Sequence, residues 1–277
     1  MLGEERVYLL ADMHLRPLDA PTAAARRRAA DDNRRLAAFL SEIDGRPGQL
    51  VLLGDTFNFW FERRGRIAGD YFSSLRLFKA AADRGLAIHH VSGNRDYATG
   101  GGLGAGSAER HSGFLRLGSG VTLSRLIDFG VEPHGKSFHL RRAGKLVTFM
   151  HGDSLCSRDF RFMLLRRLLQ GAPGRLAMRW SPWFLIKPAV SLIQAGGNLR
   201  IASRRPESLL DPAELSREIA RGTDLLICGH VHARLGLDVE SSGRRGRLEM
   251  LPAWRDGWYG VLEEGKLRVE RFAPRLS

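Results

Sequence analysis

Five short apolar runs, each closed by a small group of polar residues, constrain this chain more than any other feature in it. The runs are residues 7–11 (VYLLA), 50–54 (LVLLG), 87–91 (AIHHV), 146–150 (LVTFM) and 225–229 (LLICG). Their length and composition fit strands buried on both faces. Directly behind them stand Asp12 and His14, then Asp55, then Asn94 to Asp96, then His151 with Asp153, then His230 with His232. The carboxyl ends of strands in a parallel sheet form a ligand crevice, so the five groups can converge on one place. A single D-x-H or H-x-H is ordinary strand-end polarity, whereas all five in order define a candidate site.

Helical patterns around residues 23–43 and 71–84 separate the first three runs, and each is long enough to cross over a parallel sheet. The first half therefore reads as βαβαβ. Alternating segments near 235–240, 247–251 and 258–272 suggest antiparallel strands closing a second sheet. The expected architecture is an α/β sandwich built as one domain over residues 1–277, a length that can bury a full core. Two insertions interrupt it. Residues 98–107 (ATGGGLGAGS) follow a polar motif instead of a strand and open no helix, so they read as a loop and not as a dinucleotide fingerprint. Residues 159–205 are rich in Arg, Leu, Phe and Trp and read as a helical cap.

An apolar share of 43% with 26% charged residues rules against wholesale disorder, and a net charge of +13 implies an anionic counterpart. That counterpart is a phosphorylated substrate, a nucleic acid or an acidic membrane surface, and composition does not choose among them. Two acidic residues near the start exclude the layout of a secretory signal, which places the expected chain in the cytoplasm. Cys156 and Cys228 are too far apart in sequence to suggest a metal pair or a disulfide framework. The most hydrophobic stretch, Trp180 to Ala195, is shorter than the roughly 20 residues that span a bilayer and contains Lys187 and Pro188. His89, His90, His111, His134 and His139 lie outside the motifs and read as structural. Because His89 and His90 are consecutive in a strand, they face opposite sides.

The order D-x-H, G-D, G-N-x-D, H-G-D, G-H-x-H resembles the calcineurin-like metallophosphoesterases. Here it is written Asp12-Met13-His14, Gly54-Asp55, Gly93-Asn94-Arg95-Asp96, His151-Gly152-Asp153 and Gly229-His230-Val231-His232. The resemblance implies two mixed β-sheets flanked by helices, and two divalent metal ions. It places Asp12, His14 and His232 on one ion, Asn94, His151 and His230 on the other, and Asp55 between them. Asn94, Arg95 and His151 form the expected catalytic set. The residue types are chemically apt on their own, since imidazole and carboxylate without thiolate suit Mn²⁺, Fe²⁺ or Zn²⁺ in a catalytic site. The two cations bring four positive charges and Asp12 with Asp55 cancel two, so the centre attracts anions. Such a pair activates water and clamps phosphoryl oxygens for in-line attack.

Arg95 narrows the expected substrate. Many members of the superfamily carry a histidine there that protonates an alkoxide leaving group, whereas guanidinium, with a pKa above about 12, holds negative charge without giving up a proton. A phosphate leaving group, whose second pKa is about 6, tolerates that loss, which points to a P–O–P bond. The G-N-R-D motif and the run from His151 to Cys156 resemble the UDP-2,3-diacylglucosamine diphosphatases of lipid A biosynthesis. That likeness implies manganese, a UDP-linked acylated sugar as substrate, and work at the cytoplasmic face of an anionic membrane. It adds Asp159 as a substrate contact, joined by Asn94, Arg95 and His230, with Arg200, Arg204 or Arg205 standing in for a lysine of the family's cap. The cap's mixture of Phe, Trp and Leu with arginines also fits a membrane surface on physical grounds. Residues 58–63 (NFWFER) depart from the acidic patch that often follows G-D. Two other readings stand beside this one: a nuclease or nucleotide phosphodiesterase on the same scaffold, and a non-catalytic scaffold protein.

Overall fold

In a computed structural model of the chain, residues 5–20, 22–58, 60, 69–96, 126–156 and 206–273 are described, together with the backbone of a few short strand segments. In chain order the elements are β1 (Arg6–Leu10), α1 (Ala23–Glu42), β2 (Gly48–Leu53), β3 (Glu62–Arg63), β4 (Arg66–Ile67), α2 (Phe72–Asp83), β5 (Ala87–Val91), β6 (Leu115–Leu117) and β7 (Gly120–Thr122). They continue with β8 (Val131–Pro133), β9 (Ser137–Arg142), β10 (Lys145–Met150), α3 (Pro212–Ala220), β11 (Leu225–Cys228), β12 (Leu235–Ser241), β13 (Arg244–Met250), β14 (Trp258–Glu263) and β15 (Lys266–Arg271). The cap at 159–205 and the glycine-rich loop at 98–107, with Asp159, Arg200, Arg204 and Arg205, lie outside the described residues.

Two mixed sheets carry the fold. One has six strands in the order β15-β14-β1-β2-β5-β8, and the other five in the order β12-β13-β11-β10-β9. Strands β1, β2, β5 and β8 run parallel, as do β10, β11 and β13, so the motif-bearing ends of each set point one way. The tail departs from the sequence expectation in one respect. Strands β12 and β13 do extend the second sheet, but β14 returns to the first and pairs antiparallel with β1, bringing β15 with it. The physical reason is that β1 has only one parallel neighbour, β2, so its other edge needs a partner for its backbone groups.

Alternation along the strands builds the layers. Val7, Leu9, Val51, Leu53 and Val91 of the first sheet meet Val147, Phe149, Leu225 and Ile227 of the second in one buried cluster. The intervening Tyr8, Leu10, Leu50 and Leu52 face the other way, onto Leu36, Phe39 and Leu40 of α1 and Leu75 and Phe78 of α2. On the outer face of the second sheet Leu226, Cys228, Leu248 and Met250 pack with Leu215 of α3. Each of these fully buried aliphatic side chains contributes roughly 1.5–3 kcal/mol. Helix α1 starts on Thr22, whose hydroxyl accepts the Ala25 amide, and α3 starts on Asp211 with Pro212 in its first turn, both standard start signals. No helix among the described residues is long and apolar enough to cross a membrane.

Candidate metal centre

The motif residues occupy the turns that leave β1, β2, β5, β10 and β11, and their backbone is unusual. Asp12, His14, Asp55, His230 and His232 all have positive φ, between 48° and 72°. For residues with side chains this left-handed geometry costs on the order of 1–3 kcal/mol each, and it persists only where the surroundings impose it. Here the surroundings are other parts of the site. The His14 amide donates to the Asp55 carbonyl (2.8 Å), Leu15 to Thr56 (2.9 Å) and Gly229 to His151 (3.0 Å). Asp12 Oδ2 accepts the His230 amide at 2.8 Å, tying the end of β1 in one sheet to the end of β11 in the other. The turns must also approach closely. A Cβ on Gly93 would lie 2.3 Å from the Asp55 nitrogen, and one on Gly229 would lie 2.5 Å from Asp12 Oδ2. Those two glycines of the G-N and G-H motifs are therefore fixed by space.

The expected ligand residues come together as two touching groups. His14 Nε2 lies 3.2 Å from His232 Nε2, and His232 Nε2 lies 3.3 Å from Asp12 Oδ1. His151 Nε2 lies 3.0 Å from Asn94 Oδ1 and 3.1 Å from His230 Nδ1. Asp55 sits between the groups, with Oδ1 3.7 Å from His151 Nε2 and Oδ2 3.9 Å from His14 Nδ1. Donor atoms of Asp12, His14 and His232 lie within 4.8 Å of one another, as do those of Asp12, Asp55 and His151, so each set could hold a cation. Two buried atoms test the fit: His14 Nδ1 and Asp12 Oδ1 make no well-formed hydrogen bond among the described residues, although His232 Nε2 lies 3.3 Å from the latter. Orphaned acceptors of this kind are costly unless something positive satisfies them. A carboxylate, imidazole and amide donor set without sulfur fits divalent metal ions.

Protons report the same concentration of buried charge. Burial raises the Asp55 carboxyl to about 7, helped by the nearby carboxylates of Asp96 and Asp12. His151 is also buried, which opposes its charge, but Asp55, Asp12 and Asp153 outweigh burial and carry it up to about 9. Burial lowers His230 to about 4, aided by the neighbouring His151, and holds His14 well below its ordinary value. The metal-free pocket thus keeps protons on Asp55 and His151 in the range where a cation would need them gone. Both shifts are upward, so protons compete at low pH and leave as pH rises. Divalent-metal affinity is expected to climb between about pH 6 and 9, by about tenfold per unit for each proton displaced. Calorimetric titration with Mn²⁺ in buffers of different ionisation enthalpy measures the released protons, and a pH-independent affinity with none released would contradict this.

Three supporting residues were not singled out from sequence. Asp96 is completely buried and accepts hydrogen bonds from the Gly93 (2.7 Å), Thr56 (2.7 Å) and Asp55 (3.2 Å) amides and from His90 Nε2 (3.1 Å). It fastens the β2 turn to the β5 turn. Its place in the G-N-x-D motif was a visible signal for this. Trp60 donates its amide to the Arg95 carbonyl (2.9 Å) and packs on Phe57 and Tyr71, so this residue supports the Arg95 turn. Arg255 donates to His232 Nδ1 at 3.1 Å, and no motif marks it. Arg95 itself donates its amide to Asp55 Oδ1 (2.8 Å) and its Nη1 to Asn58 Oδ1 (3.1 Å), with Nε 3.6 Å from Asp55 Oδ2. The two cysteines are buried, and burial pushes the Cys156 thiol up to about 12, as for inert core residues.

Strand tips from two sheets thus gather buried carboxylates and imidazoles into sets that could hold metal ions. The calcineurin-like phosphoesterase family model matches residues 5–234, and the chain belongs to that family of hydrolases. It is 28% identical over 258 residues to a UDP-2,3-diacylglucosamine hydrolase of Azotobacter vinelandii, covering 90% of this chain and 91% of that one. A Stutzerimonas stutzeri protein of the same name is 26% identical over 275 residues, with coverage of 96% and 99%. Among solved structures, a cold-active protein-tyrosine phosphatase from a Shewanella species aligns with a TM-score of 0.40 and 15% identity, over 98% of this chain and 81% of that one.

Proposed function

We propose that this enzyme hydrolyses the phosphoric anhydride of UDP-2,3-diacylglucosamine, consuming one water and giving UMP and 2,3-diacylglucosamine 1-phosphate. The observation that carries the reading is Arg95. Its guanidinium lies 3.6 Å from Asp55, and by the resemblance in sequence it takes the motif position where many members of the superfamily carry a proton-donating histidine. Guanidinium holds its proton and offers a fork to phosphate oxygens, which suits an anhydride whose leaving group is already an anion. Relatives named for this substrate, matched over nine-tenths or more of both chains, supply the identity of the nucleotide and the lipid.

In this reading Asp12, His14, Asp55 and His232 hold one cation, and Asp55, Asn94, His151 and His230 hold the other, with Mn²⁺ as the proposed metal. When bound, the pair supplies an activated water and neutralises charge on the phosphoryl oxygens. Asn94, Arg95 and His230 face the diphosphate. Asp96, which accepts the Asp55 amide, positions Asp55. Asp159 and one or more of Arg200, Arg204 and Arg205 contact the rest of the substrate from a cap at 159–205, inserted in a single domain spanning 1–277. The cap rests on the anionic cytoplasmic face of a membrane, where the acyl chains are delivered. The net charge of +13 supports that placement.

Product analysis tests the proposal. In Mn²⁺, a panel of UDP-linked acylated sugars, CDP-lipids and single-stranded DNA should yield UMP from the acylated sugar alone, with the rate on anionic vesicles falling as salt rises. Arg95→His should slow the anhydride reaction about a hundredfold, by loss of a charge aimed at the phosphate, while raising turnover of an alkyl phosphodiester relative to it. Comparable wild-type rates on the anhydride and the alkyl phosphodiester would remove the basis of the assignment, and preferred cleavage of DNA would favour the nuclease reading.

A further inference from the structure

We propose that His89, Glu132 and His134 form a second metal site, separate from the centre described above, that takes a zinc-class divalent cation and links β5 to the edge strand β8. The register of the sheet makes the site. His89 of β5 stands opposite Glu132 of β8, and in a parallel pair opposite residues face the same side. His134 lies two residues beyond Glu132, on that same side, and its amide is anchored to the His90 carbonyl at 2.9 Å.

The three donor atoms already have the spacing of a coordination shell. His89 Nδ1 is 2.9 Å from His134 Nε2 and 3.4 Å from Glu132 Oε2, and His134 Nε2 is 3.9 Å from the same oxygen. With metal–ligand bonds near 2.1 Å, the edges of a tetrahedron are about 3.4 Å long, the middle of this range. Both imidazoles are also held in place before any ion arrives. Each stacks on Phe138, with ring centroids 4.4 Å away for His89 and 4.1 Å for His134, and Phe138 is fixed in turn by Phe149. Locked rings spare a cation the entropy of ordering its ligands. Burial lowers both histidines from their ordinary pKa; His89 is lowered further by His134, and His134 further by His90, against the raising effect of Glu132 on each. Neutral rings at pH 7 are in the form a metal requires. Glu132 is well exposed while the histidines are mostly covered, so the site is open to solvent at one corner only. Two nitrogens, one carboxylate and an open fourth position suit Zn²⁺ better than Mg²⁺ or Ca²⁺, which prefer all-oxygen shells.

The test uses the full chain, stripped of metal, and Zn²⁺ alone as the probe, titrated against a chromophoric chelator. Wild type should bind one more equivalent of Zn²⁺ than Glu132→Gln or His134→Asn, while both variants keep their Mn²⁺-dependent hydrolysis. In an Asp55→Asn background, which impairs the other centre, Zn²⁺ should still raise the melting temperature, and adding Glu132→Gln should make that rise measurably smaller. Because the Glu132 side chain points largely into solvent, Glu132→Gln leaves the fold intact and the comparison interpretable. Equal Zn²⁺ per chain with and without the cluster would overturn the proposal. So would loss of one equivalent accompanied by a parallel loss of hydrolysis, since the site would then not be separate.

Discussion

Replacing Asp55 by Asn is expected to reduce hydrolysis on the order of a thousandfold or more while leaving the protein folded. Asp55 lies between the two groups, 3.7 Å from His151 and 3.9 Å from His14. An amide of the same shape keeps the packing but gives up the anionic oxygens that two cations would share. Losing several kcal/mol of transition-state charge stabilisation corresponds to a loss of that size. The fold survives because burial raises the Asp55 carboxyl to about 7, so the metal-free protein already tolerates a neutral group there. The check is steady-state kinetics beside a thermal melt of the metal-free form. A fall of less than tenfold with full stability would mean that Asp55 does not bridge.

Asp96→Ala should do the reverse, costing stability first and activity as a result. The carboxylate has no exposure and receives hydrogen bonds from the amides of Gly93, Thr56, Asp55 and, at 3.4 Å, Phe57, as well as from His90. Burial opposes the charge, yet His90 and the Gly93 amide outweigh it and hold Asp96 below the usual carboxylate range. Removing the acceptor leaves buried amides unpaired, and breaking a buried ionic cluster from one side costs about 3–5 kcal/mol. That is a large part of the stability of a typical domain, about 5–15 kcal/mol. Chemical denaturation of the metal-free protein measures it, with Asp83→Ala at the exposed end of α2 as the control. A difference below about 1 kcal/mol from that control would show that the turns of β2 and β5 hold without Asp96.

Both predictions concern residues whose roles were legible to different degrees in the sequence. Asp55 was visible because it follows an apolar run and a glycine, and strand ends are where such a fold gathers its chemistry. The convergence of Asp12, His14, Asn94, His151, His230 and His232 followed from the same rule. Asp96 stood in a motif, but its work is to accept amides from a turn about 40 residues earlier, which no local pattern records. Trp60 reaches the Arg95 turn through its backbone amide and Arg255 reaches His232 with its guanidinium, and only the fold brings either of them near. The return of β14 and β15 to the first sheet was illegible for a similar reason: alternation marks a strand, while its partner depends on which edge remains open. His89 and His134 read as structural in sequence because they lie outside the strand-end motifs. Only the register of β5 against β8 places them with Glu132 on one face.

A pair of cations sharing Asp55 at the strand tips would be coupled to one another. Electron paramagnetic resonance of the Mn²⁺-loaded protein tests it most directly, using Glu132→Gln so that the edge cluster does not contribute. The expected signal is that of two exchange-coupled ions, which collapses to isolated-ion character in the additional Asp55→Asn variant. A single uncoupled Mn²⁺ at saturation, unchanged by Asp55→Asn, would contradict it.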